Sequence, residues 1–431
     1  MTKSPSRHIL GNVAIPPALS VLEPSTDGWC RADIVIEGDE ITAVLPLGTP
    51  SLDDSPRHDA KGSILLSAMV DCHTHIDKAH VAAFHDFPAG DLLAAIVSMA
   101  SYKQSWTAET LTQRVEFSLR SAYAYGVRAI RSHVDFSPVD TPFVWDVMSA
   151  AQDRWRGRVD LQLSPLAGIP AFEDTDFVAA ISAAASHQGC LGVFVHDQPD
   201  MEDLLRPIFK MAAENNWDLD FHVDEGTNPS LNGLAAIANL TQETAFEGTV
   251  LCGHCVALSM YPKVQRDTVM AAAKDADLHF VSLPLSNLYL QSRAPNTPPI
   301  YRGMAPVALL DQQGLTLSLG ADNVRDGFCA FGDFDPLAVL GIGAQVAHLN
   351  EPPRDWISLI TTNPSKTMGL EWDGIIRAGA PADLVLLDAR NSGEFNMRNT
   401  VERRVMRQGQ WIDATRPSFS ELNSDGTHDA T

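Results

Sequence analysis

The middle of the chain alternates short apolar runs with segments in which apolar residues recur at helical spacing. Helical spacing is clearest over Ala108–Tyr125, Met201–Asn215 and Arg266–Asp275. Eight apolar runs have the length and composition of buried strands, and they are Ile64–Val70, Val127–Ser132, Val159–Leu163, Leu191–Val195, Leu219–Val223, Thr249–Gly253, Leu278–Leu283 and Leu315–Leu319. Eight strands alternating with helices predict eight parallel βα units that close into a barrel.

Both ends of the chain have a different pattern, typical of strands joined by tight turns. Ala32–Glu37 alternates apolar and polar residues and is followed by Gly38-Asp39 and a second short run, and Ala382–Asp388 and Val405–Ile412 have the same texture. We therefore predict an α/β fold, with a TIM-like (β/α)8 barrel over 67–374 and a small β-sandwich domain formed by both chain termini, 1–66 plus 375–419. Residues 420–431 are polar and aperiodic, which predicts a disordered tail.

Composition narrows the class of protein. The 431 residues are 45% hydrophobic and 20% charged, as in ordinary globular proteins. With 31 Lys+Arg against 54 Asp+Glu, the net charge is −23, which would repel a polyanion, so we expect no nucleic-acid partner. No apolar run reaches the roughly 18 residues that a membrane span needs, and the six cysteines form no dense framework. These features predict a cytoplasmic protein with no membrane association.

Histidines gather at the carboxyl ends of the predicted strands, where barrel enzymes carry their chemistry. Of the 14 histidines, those placed this way are His73, His75, His133, His222 and His254. His196 ends the fourth strand in the same manner, and Asp322 follows the eighth. This clustering predicts an active site at that face of the barrel.

Three of these histidines and the aspartate form a candidate metal site. His73 and His75 are two residues apart, so in extended backbone both rings point to the same side. His222 and Asp322 would reach the same mouth from the fifth and eighth strands. Three imidazoles and one carboxylate suit Zn²⁺ or Fe²⁺ with one position open for water, so we predict one divalent metal ion per subunit.

Glu225 stands three residues after His222, close enough to lean over the site without being a ligand. A carboxylate beside a metal and partly removed from water can hold and return a proton; Asp224 is the neighbouring alternative. His254 could contact the attacking water or the substrate oxygen formed from it. Cys252 and Cys255 form a C-x-x-C pair, but they run off a strand rather than the helix N-terminus that a redox motif uses.

The arrangement of these residues resembles that of the amidohydrolase superfamily. No lysine ends the fourth strand, and in this respect the chain resembles the mononuclear branch of the superfamily. Within that branch the chain is similar to the cytosine deaminase-like group through four motifs: Asp71-Cys72-His73-Thr74-His75-Ile76-Asp77-Lys78, Arg131-Ser132-His133-Val134-Asp135, Asp220-Phe221-His222-Val223-Asp224-Glu225 and Gly320-Ala321-Asp322-Asn323-Val324-Arg325-Asp326. The resemblance implies metal ligation by His73, His75, His222 and Asp322. It also implies that Glu225 protonates the ring and that His254 and Asp322 handle the water.

The resemblance departs from that group at the substrate. Leu166 stands where the group has a glutamine that pairs with the pyrimidine amide edge, and Phe328 stands near the position of an aromatic residue that packs on the base. We predict substrate contacts from Leu166, His133, Asn323 and Phe328.

The expected function is a metal-dependent aminohydrolase that replaces an exocyclic amine of a cytosine-like heterocycle with oxygen and releases ammonia. Two alternatives stay open. One is a related hydrolase acting on an N-alkyl-aminotriazine, a cyclic guanidine or a cyclic amide, and the other is a non-catalytic barrel that binds a metal or heterocycle. The expected partners are a small heterocyclic substrate and further copies of the chain in a homo-oligomer.

Overall fold

The computed structural model describes residues 7–50, 55–87, 90–139, 141–293, 296–397, 401–413 and 415–423. Residues from the amino-terminal end form one antiparallel-rich sheet in the order β3-β2-β1-β4. Its strands, and the strand that follows them, are β1 (Arg7–Ile15), β2 (Cys30–Glu37), β3 (Glu40–Pro46), β4 (Arg57–Asp59) and β5 (Leu65–Ser67).

The centre of the molecule is a parallel sheet of eight strands in sequential order. They are β6 (Met69–Thr74), β7 (Val127–Asp135), β8 (Asp160–Gly168), β9 (Cys190–Val195), β10 (Asp218–Val223), β11 (Val250–His254), β12 (His279–Ser282) and β13 (Thr316–Leu319). A parallel bridge between Thr74 and Asp322 joins the first strand to the segment after the eighth. The sheet therefore closes on itself, and the predicted (β/α)8 fold class is confirmed.

Helices between the strands cover the outside of the barrel. The helices that follow barrel strands along the chain are α1 (Leu92–Lys103), α2 (Ala108–Tyr125), α3 (Pro142–Trp155), α4 (Thr175–Gln188), α5 (Met201–Asn215), α6 (Gly233–Glu243), α7 (Lys263–Asp275), α8 (Pro284–Leu290), α9 (Val307–Gln312), α10 (Pro336–Ala347) and α11 (Thr362–Thr367). A further helix, α12 (Ser392–Asn396), lies in the carboxyl-terminal part of the chain. Helices α2 and α5 have the predicted bounds, whereas α7 begins three residues earlier than predicted. Capping explains the start of α2, because the Thr107 side chain accepts a hydrogen bond from the Thr110 N–H.

A third sheet forms from the carboxyl-terminal end in the order β16-β15-β14-β5. Its strands β14 (Leu384–Leu387), β15 (Arg403–Arg407) and β16 (Gln410–Trp411) are joined by β5 from the other end of the chain. Both termini thus supply strands outside the barrel, as the pattern predicted. The boundaries proposed at 66/67 and 374/375 remain predictions.

Two predictions need correction. The run Ile64–Val70 was predicted as one strand, but it divides at Ala68 into β5, which pairs with β14, and β6, which pairs with β7. Both pieces are buried, so an unbroken apolar run conceals the change of sheet. In the predicted tail, Ser420 belongs to a short 3-10 helix, Phe419–Asn423. Residues 424–431 lie outside the described residues.

Candidate metal centre and active site

Four side chains converge at the carboxyl ends of three barrel strands. His73 lies within β6, His75 follows it, His222 lies within β10, and Asp322 follows β13. One ligand atom from each lies within 4.8 Å of the others, and all four residues are at most 5% exposed. The structure therefore brings together the four residues that the sequence proposed as metal ligands.

The atoms of this cluster lack the partners that buried polar atoms normally have. Among the described residues, His73 Nε2 and Asp322 Oδ1 are buried without a hydrogen-bond partner. Asp322 Oδ1 lies 3.3 Å from His75 Nε2 and 3.7 Å from His73 Nε2. The Nε2 atoms of His75 and His222 are 3.0 Å apart. Unpaired lone pairs that point at one spot fit a divalent cation.

The protonation states also suit metal binding. Burial lowers the pKa values of His73 and His222 well below the ordinary histidine value, and it lowers the pKa of His75 to about 3. Although burial alone would raise it, hydrogen bonding to His75 and Ser286 and the neighbouring imidazoles lower the pKa of Asp322 to about 2. At neutral pH the imidazoles are uncharged and the carboxylate is ionised, which are the forms that bind a metal.

Backbone contacts fix the positions of these ligands. The Asp71 carboxylate accepts hydrogen bonds from the His73 N–H at 3.1 Å and the Ala321 N–H at 3.0 Å, which ties the first strand to the segment after the eighth. Asp322 has a left-handed backbone, with φ of 57°, as does His254 with φ of 67°. Such conformations cost free energy in non-glycine residues and are held by their surroundings.

A second group of metal-ligating side chains lies beside the first. His133 Nε2 is 3.4 Å from Asp220 Oδ1, and His73 Nδ1 is 3.9 Å from the same oxygen. The other Asp220 oxygen lies 3.3 Å from Arg131 Nη1, so a guanidinium already neutralises this carboxylate. His133 is fully buried and, like His73, is not part of the lining of the cavity described below, and its role as a substrate contact remains a prediction.

Glu225 and Asp224 follow β10 but face different surroundings. The Asp224 carboxylate accepts hydrogen bonds from the N–H groups of Gly233 and Leu234 at the start of α6 and from the Tyr261 hydroxyl. Glu225 instead lines the cavity, with its side chain 7% exposed. Burial raises the pKa of Glu225 well above its usual range, and the charge of Asp322 adds to this. Of the two acids, the geometry favours Glu225 as the group that meets a substrate.

His254 ends β11 and is held by a residue that the sequence reasoning missed. Asn287, in α8, places its amide nitrogen 2.9 Å from His254 Nδ1 and 3.4 Å from Glu225 Oε1. With the amide nitrogen as the donor, Nδ1 accepts, and the ring proton is then on Nε2. Ser286, beside it, donates to Asp322. The only sequence signal was a pair of polar residues just past the seventh strand, and polar residues are common in loops.

These groups border a cavity of about 370 Å³. Its chemically active lining comes from His75, His222, Glu225, His254 and Asp322. Apolar side chains make up much of the remaining wall, and they include Leu92, Ile96, Met99, Phe136, Phe177 and Phe194. The predicted substrate contacts Leu166, Asn323 and Phe328 also lie on the wall. A concave, largely apolar cavity with a few convergent polar groups is the usual form of a small-molecule site.

The same cavity contains a charged cluster that the sequence did not reveal. Lys78 Nζ lies 2.9 and 3.0 Å from the two carboxylate oxygens of Asp135, and Lys103 from the end of α1 donates to the same carboxylate. All three residues line the cavity. Lys78 Nζ also lies 4.8 Å from the centre of the Phe328 ring, a cation–π distance.

The C-x-x-C pair does not support redox chemistry. Cys252 and Cys255 are buried, and burial raises the pKa of both thiols well above the ordinary value. A thiol must ionise to act as a nucleophile, so these cysteines are structural. His196 follows β9 but is exposed, and its ring stacks on Phe194.

The barrel and its cluster of three histidines and one aspartate define a class of metal-dependent hydrolases. A model described as "Amidohydrolase family" matches residues 149–412. The chain is also 33% identical over 427 residues to a pterin deaminase from Rhizobium rhizogenes, covering 97% of both chains. The chain therefore belongs to the amidohydrolase family and is a hydrolase of carbon–nitrogen bonds. The predicted family relation is confirmed.

Other relatives span most of the chain at lower identity. An N-isopropylammelide isopropyl amidohydrolase from Pseudomonas sp. is 26% identical over 372 residues, covering 83% of this chain and 87% of its own. Among solved structures, a 5-methylcytosine deaminase from Klebsiella pneumoniae superposes with a TM-score of 0.82 at 21% identity, covering 96% of this chain and 98% of its own. At that identity the structural match shows the fold alone. No helix in the described ranges has both the length and the apolar character of a membrane span.

Proposed function

We propose that the protein is a metal-dependent aminohydrolase that replaces the exocyclic amine of a pterin-like 2-amino-4-oxo heterocycle with oxygen and releases ammonia. The observation that carries the proposal is the cavity, which places Glu225, His254 and Asp322 on the wall of one apolar space. The pterin deaminase from Rhizobium rhizogenes, similar over nearly the whole chain, supports the choice of ring.

The size of the cavity and the residues of its wall also favour one kind of substrate over another. A volume of about 370 Å³ lies in the range of sites that enclose whole organic ligands, and it has room for a bicyclic ring. Leu166 offers no hydrogen bond to the amide edge of a single pyrimidine, whereas its apolar surface can pack against a flat ring. The volume, which leaves room for a second fused ring, therefore favours a pterin over the cytosine-like ring first expected.

His73, His75, His222 and Asp322 would hold one divalent cation, Zn²⁺ or Fe²⁺. When bound, the cation lowers the pKa of water from 15.7 to about 7 and so supplies hydroxide at neutral pH. Asp322 accepts the proton that the water gives up. His254, with its ring proton on Nε2, donates a hydrogen bond to the attacking oxygen and orients it.

Glu225 completes the reaction. Because its pKa is raised, Glu225 holds a proton that it delivers to the ring nitrogen. Protonation of the ring makes the adjacent carbon electrophilic. Oxygen adds to that carbon, and the bond to the exocyclic nitrogen breaks. The amine leaves as ammonia with the one proton that Asp322 took from the water, and the remaining proton of the added oxygen returns to Glu225. Asn287 positions both Glu225 and His254 for these steps.

The test is ammonia release by metal-loaded protein from pterin, isocytosine, cytosine, creatinine and N-isopropylammelide. We expect pterin to give the highest kcat/KM. We expect Glu225→Gln to retain its metal and to lose about 10²- to 10⁴-fold in turnover, whereas Glu247→Gln, at an exposed position, keeps full activity. Undiminished activity in Glu225→Gln would overturn the assignment.

A second candidate is hydrolysis of an N-alkyl-aminotriazine. The observation in its favour is the 26% identity with the N-isopropylammelide isopropyl amidohydrolase over 83% of this chain. The reacting groups would act in the same way, and the leaving group would be an alkylamine. Turnover of N-isopropylammelide alone in the panel would select this candidate over the pterin.

A further inference from the structure

The charged cluster of Lys78, Asp135 and Lys103 has no role in the reaction as derived above. It lies on the side of the barrel formed by the first two strands and helix α1 between them, because Lys78 follows β6, Asp135 ends β7 and Lys103 ends α1. Glu225 follows β10 and His254 ends β11, and these two strands lie across the barrel. A ligand that fills the cavity would therefore meet the reacting groups at one side and this cluster at another.

Two ammonium groups share the Asp135 carboxylate, and the buried carboxyl groups of Asp77 and Asp326 also interact electrostatically with Lys78. Although burial opposes it, the Asp135 carboxylate raises the pKa of Lys78, and the two ammonium groups hold the pKa of Asp135 well below its usual range. Lys78 and Asp135 thus form an ion pair, and the Lys103 ammonium donates to the same carboxylate. The chain has a net charge of −23, so the ammonium groups on the wall of the substrate cavity are opposite in sign to the charge of the protein as a whole.

The cluster is also rich in hydrogen-bond donors. Each ammonium has three protons, and Asp135 is the one carboxylate within ion-pair distance of either lysine among the described residues. Lys78 and Lys103 are buried enough to be partly dehydrated, with side chains 5% and 17% exposed. Charged hydrogen bonds strengthen in such surroundings. The cluster thus has donors to spare for an acceptor, preferably an anionic one.

We propose that Lys103 and Lys78 bind a carboxylate carried by the substrate away from the reacting amine, with Asp135 holding the two ammonium groups in place. This specificity site rests on the proposed function, since it names a substituent of the same heterocycle. Helix α1 gives the proposal a second support. Its Leu92, Ile96 and Met99 line the cavity together with Lys103, so one helix face would cover the ring and contact its substituent.

The experiment compares pterin rings that differ in one substituent. Metal-loaded protein is assayed for kcat/KM with 6-carboxypterin and with 6-hydroxymethylpterin, which has a similar size and no charge. We expect a preference of about tenfold or more for the carboxylate, because a charge-assisted hydrogen bond is involved. The preference should shrink as ionic strength rises.

Substitutions of Lys103 test whether this residue binds the carboxylate. Lys103→Met should bring the preference close to one, mainly through KM for the carboxylated ring, and Lys103→Arg should restore most of it. Lys210→Met removes an exposed lysine of α5 and should leave activity and preference unchanged. If Lys103→Met does not fold by circular dichroism, the preference of the wild-type protein and its salt dependence decide the question.

The outcomes separate this inference from the proposed function. Turnover of both rings with no preference for the carboxylate, or a preference that Lys103→Met retains, overturns the carboxylate site and leaves the deaminase intact. If neither ring releases ammonia, the proposed function fails, and binding of the two rings, followed by pterin fluorescence, still tests the carboxylate site. Equal affinity in that measurement overturns it.

Discussion

The two clusters that share His73 differ in what surrounds their carboxylates. Among the described residues, Asp322 and Asp220 each have one buried oxygen without a hydrogen-bond partner, but Asp322 faces the cavity and has no cationic side chain within ion-pair distance. Asp220 lies behind the site, between His133 and the Arg131 guanidinium, away from the cavity. Both clusters have histidine and aspartate at metal-ligand distances, so residue type alone does not distinguish them.

The difference lies in charge balance and access. A divalent ion next to Arg131 would meet a like charge, whereas an ion among His73, His75, His222 and Asp322 meets only neutral rings and an anion. Asp220 therefore lies behind the metal-ligand cluster as an electrostatic neighbour of His73, with Oδ1 3.9 Å from His73 Nδ1. Such outer partners tune a metal site without binding the ion.

The largest effect should follow from removing a ligand of the cavity cluster. His222→Ala deletes one of three imidazoles, so we expect metal content to fall toward zero. Turnover should drop by more than the about 10²- to 10⁴-fold of an acid–base residue, because the supply of hydroxide at neutral pH is lost. Inductively coupled plasma mass spectrometry and ammonia release measure the two effects.

His196→Ala is the matched control, since His196 also follows a barrel strand but is exposed. It should keep both metal and activity. A His222→Ala protein with full metal occupancy would contradict the ligand assignment.

A smaller effect should follow from breaking the buried ion pair of the second cluster. Asp220→Asn leaves the Arg131 guanidinium without its closest carboxylate, and the free energy of unfolding should fall by about 3 kcal/mol. Metal affinity should weaken by about 10- to 100-fold, because His73 loses its outer partner. Urea unfolding and metal titration measure these changes.

Asp218→Asn provides the comparison, because Asp218 lies 3.8 Å from Arg131 but is more exposed. Its loss should cost less than about 1 kcal/mol. Equal destabilisation by the two substitutions would show that Asp220 is not the main partner of Arg131.

The smallest effect is expected at His133. A glutamine amide can still donate to Asp220, so His133→Gln should cost about 1 kcal/mol or less. Metal stoichiometry should be one ion per chain in the wild-type protein and should stay at one in His133→Gln. A wild-type value of two that falls to one in the variant would make the second cluster a metal site.

Much of the fold followed from local pattern. Helices α2 and α5 matched their predicted bounds because their apolar periodicity runs from one end to the other. The division of Ile64–Val70 was not predictable, because Leu66 and Val70 are equally buried in different sheets and periodicity reports burial rather than partner.

The residues of the site also fall into those that the sequence predicts and those that it does not. Histidines at the ends of predicted strands can be recognised in the sequence, so His73, His75 and His222 could be selected from sequence alone. Asn287 and Lys103 could not, because each acts through a contact with a residue more than 30 positions away. Nothing in the local sequence around an asparagine or a helix-end lysine specifies such a contact.

The pairing of β5 with β14 has a consequence for how the chain is made. The strand that contains Leu66 has no neighbour on that side until Val385, 319 residues later, has been synthesised. At a synthesis rate of about 5–20 residues per second, the delay is roughly 15–65 s. During that time an apolar edge strand is exposed directly before the strand that carries His73. Slower translation lengthens this exposure.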